Sequence, residues 1–237
     1  MLPKILIGAP TYEGKDYCLA EFASALKSLV YPNMDICYVD NSSTDWFSQK
    51  MNVMGINTIW QPSAMRLASK KLERGSNYLR QKAIDGKYFA HLQLETDMVV
   101  EPNTLLEMLN EMINEDALVV GSMYAIYGGA MRKKLAYKIK YDADLDSVLS
   151  MPEISDWTKL DRPLMNVQSC GLGCTLIRTS VYDKHKVSYR STVQTTPDGL
   201  FFRDLTSRGI KAYMRTTDFL THMNRGDWDA SEKMIGA

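Results

Sequence analysis

The sequence predicts an α/β domain built on a mainly parallel, twisted sheet with helices on both faces. Three observations lead there. Apolar runs of strand length alternate with stretches of helical periodicity along the first hundred residues. Three of those runs end in short polar clusters: Thr11, Tyr12 and Glu13; Asp40, Asn41 and Ser42; and Glu95, Thr96 and Asp97. The 237 residues, 45% hydrophobic and 24% charged, have the composition of an ordinary globular chain with one sizeable core, and one domain is the default.

The first element is the strand "KILIGAP" (4 to 10), broken by Gly8 and Pro10. Asp16 is placed to cap the helix that follows, where Leu19, Phe22, Ala23, Leu26 and Leu29 recur at helical spacing and form a face for the sheet. "MDICYVDN" (34 to 41) reads as the second strand and "INTIWQ" (56 to 61) as a short third. A helix over about 65 to 84 leads through "IDGKY" into the strand "YFAHLQLETD", and "EPNTLLEMLNEM" starts the next helix at Pro102 and Asn103. In open sheets of this kind ligands bind beyond the carboxyl ends of the strands, so the three polar clusters are the candidate site.

Charge and composition narrow the partners. The 28 Lys and Arg balance the 28 Asp and Glu, so no field of one sign argues for nucleic acid, and a bound anion must be held locally. No apolar stretch approaches the roughly 20 residues that span a bilayer, and no signal-peptide pattern opens the chain. The expectation is a soluble, cytoplasmic protein. Cys18, Cys37, Cys170 and Cys174 have neither zinc-site spacing nor disulfide density, which predicts reduced thiols.

Glu95 and Asp97 carry the sharpest chemical signal. Alternation along the strand puts both on one face, and two carboxylates about 5 Å apart repel by roughly 3 kcal/mol at an effective dielectric near 20. A divalent cation, Mg²⁺ or Mn²⁺, compensates most economically, because it takes one or two carboxylates and completes its shell with phosphate oxygens and water. The alternative is a pair of solvated acids capping the next helix. The first turn, "GAPTYEG", supplies neither G-x-G-x-x-G nor a Walker A loop, so phosphate would be held mainly by the metal.

These segments, in order, resemble the family 2-like glycosyltransferases of the GT-A fold, which move a sugar from a nucleotide-diphosphate donor. "ILIGAPTYEGKDYCLAEFASAL" is similar to the family's first strand, turn and helix, which implies that Pro10, Thr11 and Tyr12 line the nucleotide pocket. "CYVDNSSTD" matches the second-strand motif and implies Asp40 against base or ribose. Arg74 and Asn77 stand where the family has an arginine and an asparagine ahead of the metal strand. The metal signature, usually D-x-D, is Glu95-Thr96-Asp97 here; Asp97 then matches the metal ligand, and Glu95 either a second ligand or a ribose contact. "CGLGCTLIRTSVYDK" (170 to 184) resembles the glycine-rich strand in which Gly171 and Gly173 let backbone approach a sugar. "PDGLFFRDLTSRGIKAYMRTTDFLTH" resembles the E-D pattern, helix, glycine, strand and closing histidine. Asp198 matches the second acid of E-D, Pro197 replaces the first, and His222, 13 positions after Gly209, matches the histidine.

The resemblance implies a metal-dependent, hexosyltransferase-type enzyme with Mn²⁺ or Mg²⁺ on Asp97, Glu95 and His222, and inverting transfer with Asp198 as general base. Read without it, Asp198 can equally cap its helix, His222 can be a hydrogen-bonded strand histidine, and the glycines can form a tight turn with a bulge. His91 and His185 read as structural. Residues 1 to 124 are expected to hold the donor, and 125 to 237 the acceptor, a glycan, lipid or protein. In the second part the basic cluster Arg132, Lys133, Lys134, Lys138 and Lys140 fits either an anionic acceptor or membrane surface or a solvated face, Trp157 and Trp228 fit sugar stacking or core, and the polar C-terminus "NRGDWDASEKMIGA" fits a mobile lid. Two other classes stay open: a nucleotidyltransferase that makes an activated sugar, and a non-catalytic nucleotide-sugar binding module.

Overall fold

In the computed structural model, two predicted strands are each cut in two. β1 (Ile5–Ile7) and β2 (Pro10–Thr11) part at Gly8, and β3 (Met34–Ile36) and β4 (Tyr38–Asp40) part at Cys37. A close approach explains both breaks: a Cβ on Gly8 would lie 1.8 Å from the Cys37 carbonyl oxygen, so only glycine fits. Hydrogen bonds from Cys37 N to Ile7 O (2.8 Å) and Val39 N to Ala9 O (3.2 Å) carry the pairing across the gap. The structure describes residues 2–62, 65, 67–128, 131–134, 136–137, 140–142, 147–150, 164–193 and 195–223, with the side chains of 125–150 and 218–219 left out.

Asp16 does not cap the first helix. It lies inside a 3₁₀ turn, Glu13–Cys18, and accepts from Lys50 at 2.6 Å, while α1 (Leu19–Ser28) starts after that turn with no side-chain cap. The predicted apolar face of α1 holds: Leu19, Phe22, Ala23 and Leu26 are buried. Then come α2 (Trp46–Val53), β5 (Thr58–Trp60), α3 (Ala68–Asp85), β6 (Ala90–Leu94), β7 (Met98–Val99), α4 (Thr104–Asn114) and β8 (Val119–Gly128). The strand-helix rhythm breaks where expected, into β9 (Met131–Lys134), β10 (Ala136–Tyr137), β11 (Lys140–Asp142) and β12 (Ser147–Ser150). β13 (Leu164–Val167), β14 (Ser169–Cys170), β15 (Cys174–Arg178), α5 (Thr179–Asp183), α6 (Pro197–Ser207) and β16 (Ala212–His222) complete the chain.

The main sheet runs β13-β16-β8-β15-β6-β1-β3. The parallel pairs are β3·β1, β1·β6 and β8·β16, and β15 and β13 run against the rest, so the sheet is mixed with most strands in one direction. β2, β4 and β5 extend it as a parallel ribbon. Strand alternation divides the interior into two cores. Ile5 and Ile7 face a core that holds Phe22 and Leu26 of α1, Phe47 of α2 and Met108 of α4. Leu6 faces the other, with Leu79 of α3, Tyr182 of α5 and Phe201 and Phe202 of α6. Helices thus cover both faces, as expected.

His91 shows how a buried polar group is accommodated in this sheet. Its Nε2 lies 2.9 Å from the Gly8 carbonyl and its Nδ1 3.1 Å from the Tyr182 hydroxyl, and burial pushes its pKa down to about 4. It is a neutral structural residue. All four cysteines are buried, and none is in a disulfide. Among the described residues no helix is long and apolar enough to cross a membrane. The side chains of the basic cluster Arg132, Lys133, Lys134, Lys138 and Lys140 lie outside the described residues, as do Trp157, Trp228 and the proposed lid.

Candidate functional site

The site forms because three distant segments end at one place. β6 stops at Leu94, and Glu95 turns out of it, its N–H donating to Gly173 O (2.8 Å) and its carbonyl accepting from Met98 N (3.1 Å). Strand alternation therefore does not extend to Asp97, contrary to the sequence reading; the turn over 95–98 brings the two acids together instead. β16 loses its regular pairing with β8 between Met214 and Phe219, and its far end pairs with β7, setting His222 opposite Met98. Met223 N then donates to Asp97 O at 2.7 Å. The 3₁₀ turn after β2 supplies Lys15.

Glu95, Asp97 and His222 each offer one ligand atom, and these atoms all lie within 4.8 Å of one another. Asp97 Oδ2 lies 3.1 Å from His222 Nε2 and also accepts from the Lys15 ammonium. Asp97 Oδ1 is buried with no hydrogen-bond partner. A buried carboxylate oxygen is costly to leave unpaired. With a second carboxylate and an imidazole beside it, the donor set fits a hard divalent cation such as Mg²⁺ or Mn²⁺.

The electrostatics of the cluster are strongly coupled. Burial first, then the Asp97 and Asp198 charges, push the Glu95 carboxyl up to about 7. Burial would also raise Asp97, but the His222 hydrogen bond and the Lys15 and His222 charges outweigh it and hold Asp97 below the ordinary value. His222 shows the opposite balance: burial opposes its protonation, and the Asp97 hydrogen bond with the Asp97 and Glu95 charges raises it. Of the two carboxyls, Asp97 is the one whose surroundings favour the ionised form, while burial and the neighbouring acids favour a proton on Glu95.

Beside this cluster a cleft of about 420 Å³ is lined by Pro10, Tyr12 and Lys15 from beyond β1, Asn41 from beyond β4, Lys71 and Leu72 of α3, and Glu95 and Thr96. A smaller recess of about 260 Å³ holds Tyr12, Lys15, Tyr17, Glu95, Asp97 and His222. The two share Tyr12, Lys15 and Glu95.

Of the residues expected to bind donor, Pro10, Tyr12, Glu95 and Thr96 line the cleft. Thr11 stands behind it, its hydroxyl 2.9 Å from that of Thr96. Asp40 is fully buried and turned inward, accepting from Ser42 N and Ser48 N at 2.9 Å each and from the Ser42 hydroxyl. Arg74 is exposed and donates to Pro62 O (3.1 Å), away from the cleft lining. Asn77 joins α3 to Tyr189 through both backbone groups, at 2.7 and 3.1 Å. The geometry gives Asp40, Arg74 and Asn77 supporting rather than lining positions. Gly173 also supports: its N–H donates to the Tyr124 hydroxyl (2.9 Å), and an added Cβ would lie 2.7 Å from that oxygen. Gly171 O accepts from the Thr175 hydroxyl at 2.9 Å.

Asp198 is not a helix cap. Thr196 holds the N-cap position of α6, Pro197 the first helical position, and Asp198 lies one residue further in, its Oδ2 accepting from Leu172 N at 3.3 Å. Burial raises its pKa, with the Leu172 hydrogen bond opposing. It reaches the cluster electrostatically, since its charge is one of those that raise Glu95. Asn41 belongs to a strand-end cluster singled out in the sequence, whereas Lys15, Lys71 and Leu72 were not expected there: Lys15 stands two residues past the first cluster, and Lys71 and Leu72 sit on a helix whose orientation no local pattern reveals.

No family model and no curated protein sequence matches the chain. Its likeness is structural. TarS of S. aureus, residues 1–349 in complex with UDP-GlcNAc, superposes with a TM-score of 0.62 at 12% identity, covering 95% of this chain and 60% of that one. A second crystal structure of S. aureus TarS 1–349 gives 0.58 at 14% identity, covering 92% and 59%. CMP:2-keto-3-deoxy-manno-octonic acid synthetase complexed with CTP gives 0.51 at 14% identity, covering 89% and 88%. The chain spans about three fifths of the length of TarS 1–349. At these identities the likeness establishes the fold alone, a GT-A fold common to TarS and the synthetase.

Proposed function

We propose that this protein is a metal-dependent glycosyltransferase that moves a sugar from a nucleotide-diphosphate sugar to a hydroxyl of a glycan, lipid or protein acceptor. The observation that carries the reading is the convergence of Glu95, Asp97 and His222, with a buried Asp97 oxygen left unpaired, beside a cleft beyond the strand ends of a GT-A sheet. The UDP-GlcNAc bound by the structurally similar TarS supports a donor of this class.

In this reading Tyr12 and Asn41 receive the nucleoside, and Thr96, held by Thr11, closes the floor of the cleft. Asp97, His222 and Glu95 hold the divalent cation. Once bound, such a cation neutralises the negative charge that grows on the departing diphosphate. Asp198 takes the proton from the acceptor hydroxyl as the hydroxyl oxygen bonds to the anomeric carbon. The bond from that carbon to the diphosphate oxygen breaks, and nucleoside diphosphate leaves with the electron pair. A carboxylate made more basic by burial suits that proton transfer, and attack opposite the leaving group inverts the anomeric centre. Lys71 lies along the same cleft as a second cation for the phosphates.

One observation favours a second reading. The CTP-bound synthetase matches this chain over nearly the full length of both, 89% and 88%. Turnover separates the two. Incubated with Mn²⁺ and a panel of sugar nucleotides without acceptor, the protein is expected to release nucleoside diphosphate slowly from one of them. Pyrophosphate released from a nucleoside triphosphate and a free sugar would mark a nucleotidyltransferase, and no turnover of either kind a binding module.

A further inference from the structure

Lys15 is the residue whose position the sequence reading leaves unexplained. It is carried on the 3₁₀ turn Glu13–Cys18, and its backbone N–H donates to Tyr12 O at 2.9 Å, which fixes the turn just beyond β2. Its ammonium rests on Asp97 Oδ2, the oxygen already in contact with His222 Nε2. The lysine side chain is 25% exposed and the aspartate 3%. Lys15 borders both the larger cleft and the smaller recess, so it stands at their junction.

This placement sets up a competition. An ammonium and a divalent cation on the same carboxylate repel each other, and the repulsion is strong where solvent is excluded. A lysine on a flexible four-carbon stem, already facing the cleft, can turn its charge toward an anion there; Tyr12 and Glu95 are the other residues common to both spaces. A diphosphate with its bound cation in the cleft is such an anion.

We propose that Lys15 is a partner-exchanging residue: it occupies Asp97 in the donor-free protein and moves to the donor diphosphate when a divalent cation takes Asp97. The proposal rests on the metal-dependent reading of the cluster. Lys15 then does two things that a purely structural salt bridge does not. It weakens cation binding in the absence of donor, and it strengthens diphosphate binding once the cation is present. The cation and the nucleotide are thereby made to bind together.

Two titrations of the purified protein test this without any catalytic readout. Mn²⁺ binding is followed by the loss of the free-ion electron paramagnetic signal, with no nucleotide present. Inorganic pyrophosphate binding is followed by calorimetry at saturating Mn²⁺. Lys15→Met is expected to tighten Mn²⁺ about tenfold and to weaken pyrophosphate about tenfold. Lys15→Gln, which also removes the charge, is expected to shift both affinities in the same directions and serves if the methionine variant fails to fold. Equal Mn²⁺ affinity in parent and Lys15→Met, or unchanged pyrophosphate affinity, overturns the exchange while leaving the metal site standing. No Mn²⁺ bound by the parent overturns both the exchange and the metal reading on which it rests.

Discussion

Asp97→Asn is expected to remove the metal-dependent part of donor turnover, lowering it by about 10²-fold or more. Asp97 is buried, held ionised by Lys15 and His222, and has one oxygen free of any hydrogen bond, so it is the residue in the cluster best suited to hold a cation. The amide keeps the shape of the side chain and removes the charge. It also replaces one acceptor with a donor that faces Lys15 or His222, which adds to the loss of cation affinity. Losing on the order of 3 kcal/mol of charge stabilisation at the leaving diphosphate corresponds to about 10²-fold in rate. The measurement is the release of nucleoside diphosphate as a function of Mn²⁺ concentration. A variant whose turnover still saturates with Mn²⁺ as the parent's does would remove Asp97 from the metal site.

Asp198→Asn is expected to spare donor binding and to lower transfer by about 10² to 10⁴-fold, the usual contribution of a positioned general base. The prediction has a pH signature as well. Burial raises the Asp198 pKa, and a base works only when deprotonated, so transfer by the parent falls as pH drops through that raised value. The asparagine variant loses this acidic limb. Transfer to an acceptor and donor binding are measured separately, across pH. If Asp198→Asn transfers at the parental rate, the residue's role is the hydrogen bond to Leu172 N that fixes the glycine-containing loop 171–173.

Much of the architecture was legible in the sequence because it depends on local patterns. The strand-length runs at Ile5–Ile7 and Ala90–Leu94, buried on both faces, and the helical spacing of Leu19, Phe22 and Leu26, buried on one side of α1, each follow from the burial of one element. The mixed character of the sheet was less legible. β15 and β13 run against the others, and strand direction is decided by the connections between elements. The breaks at Gly8 and Cys37 were half visible: the glycine is in the sequence, but the oxygen that demands it belongs to a residue 29 positions away.

The site divides in the same way. The pairing of Glu95 with Asp97 could be read from the chain, and the place of His222 only from the family resemblance. Strand alternation ends at Leu94, and the turn at 95–98 brings the acids together instead. The sequence gives no sign that Asn77 is consumed by Tyr189 or that Asp40 is consumed by Ser42 and Ser48, because those partners depend on how the elements pack. Lys15 is hidden for the same reason. The repulsion between the two acids pointed to a compensating cation, and only the packing of the turn over 13–18 against Asp97 shows that a lysine supplies part of that charge.

The most direct test of the central claim, a metal-assisted nucleotide-sugar site built on Glu95, Asp97 and His222, is a thermal-shift panel of sugar nucleotides with and without Mn²⁺. A ligand that binds the folded state raises the melting temperature by mass action, by about 2.7 kcal/mol of stabilisation at a hundredfold excess over Kd. The account predicts that at least one sugar nucleotide stabilises the protein, that Mn²⁺ enlarges the shift, and that Asp97→Asn removes the enlargement. A panel in which no sugar nucleotide stabilises the protein, or in which Mn²⁺ makes no difference to any of them, would contradict it.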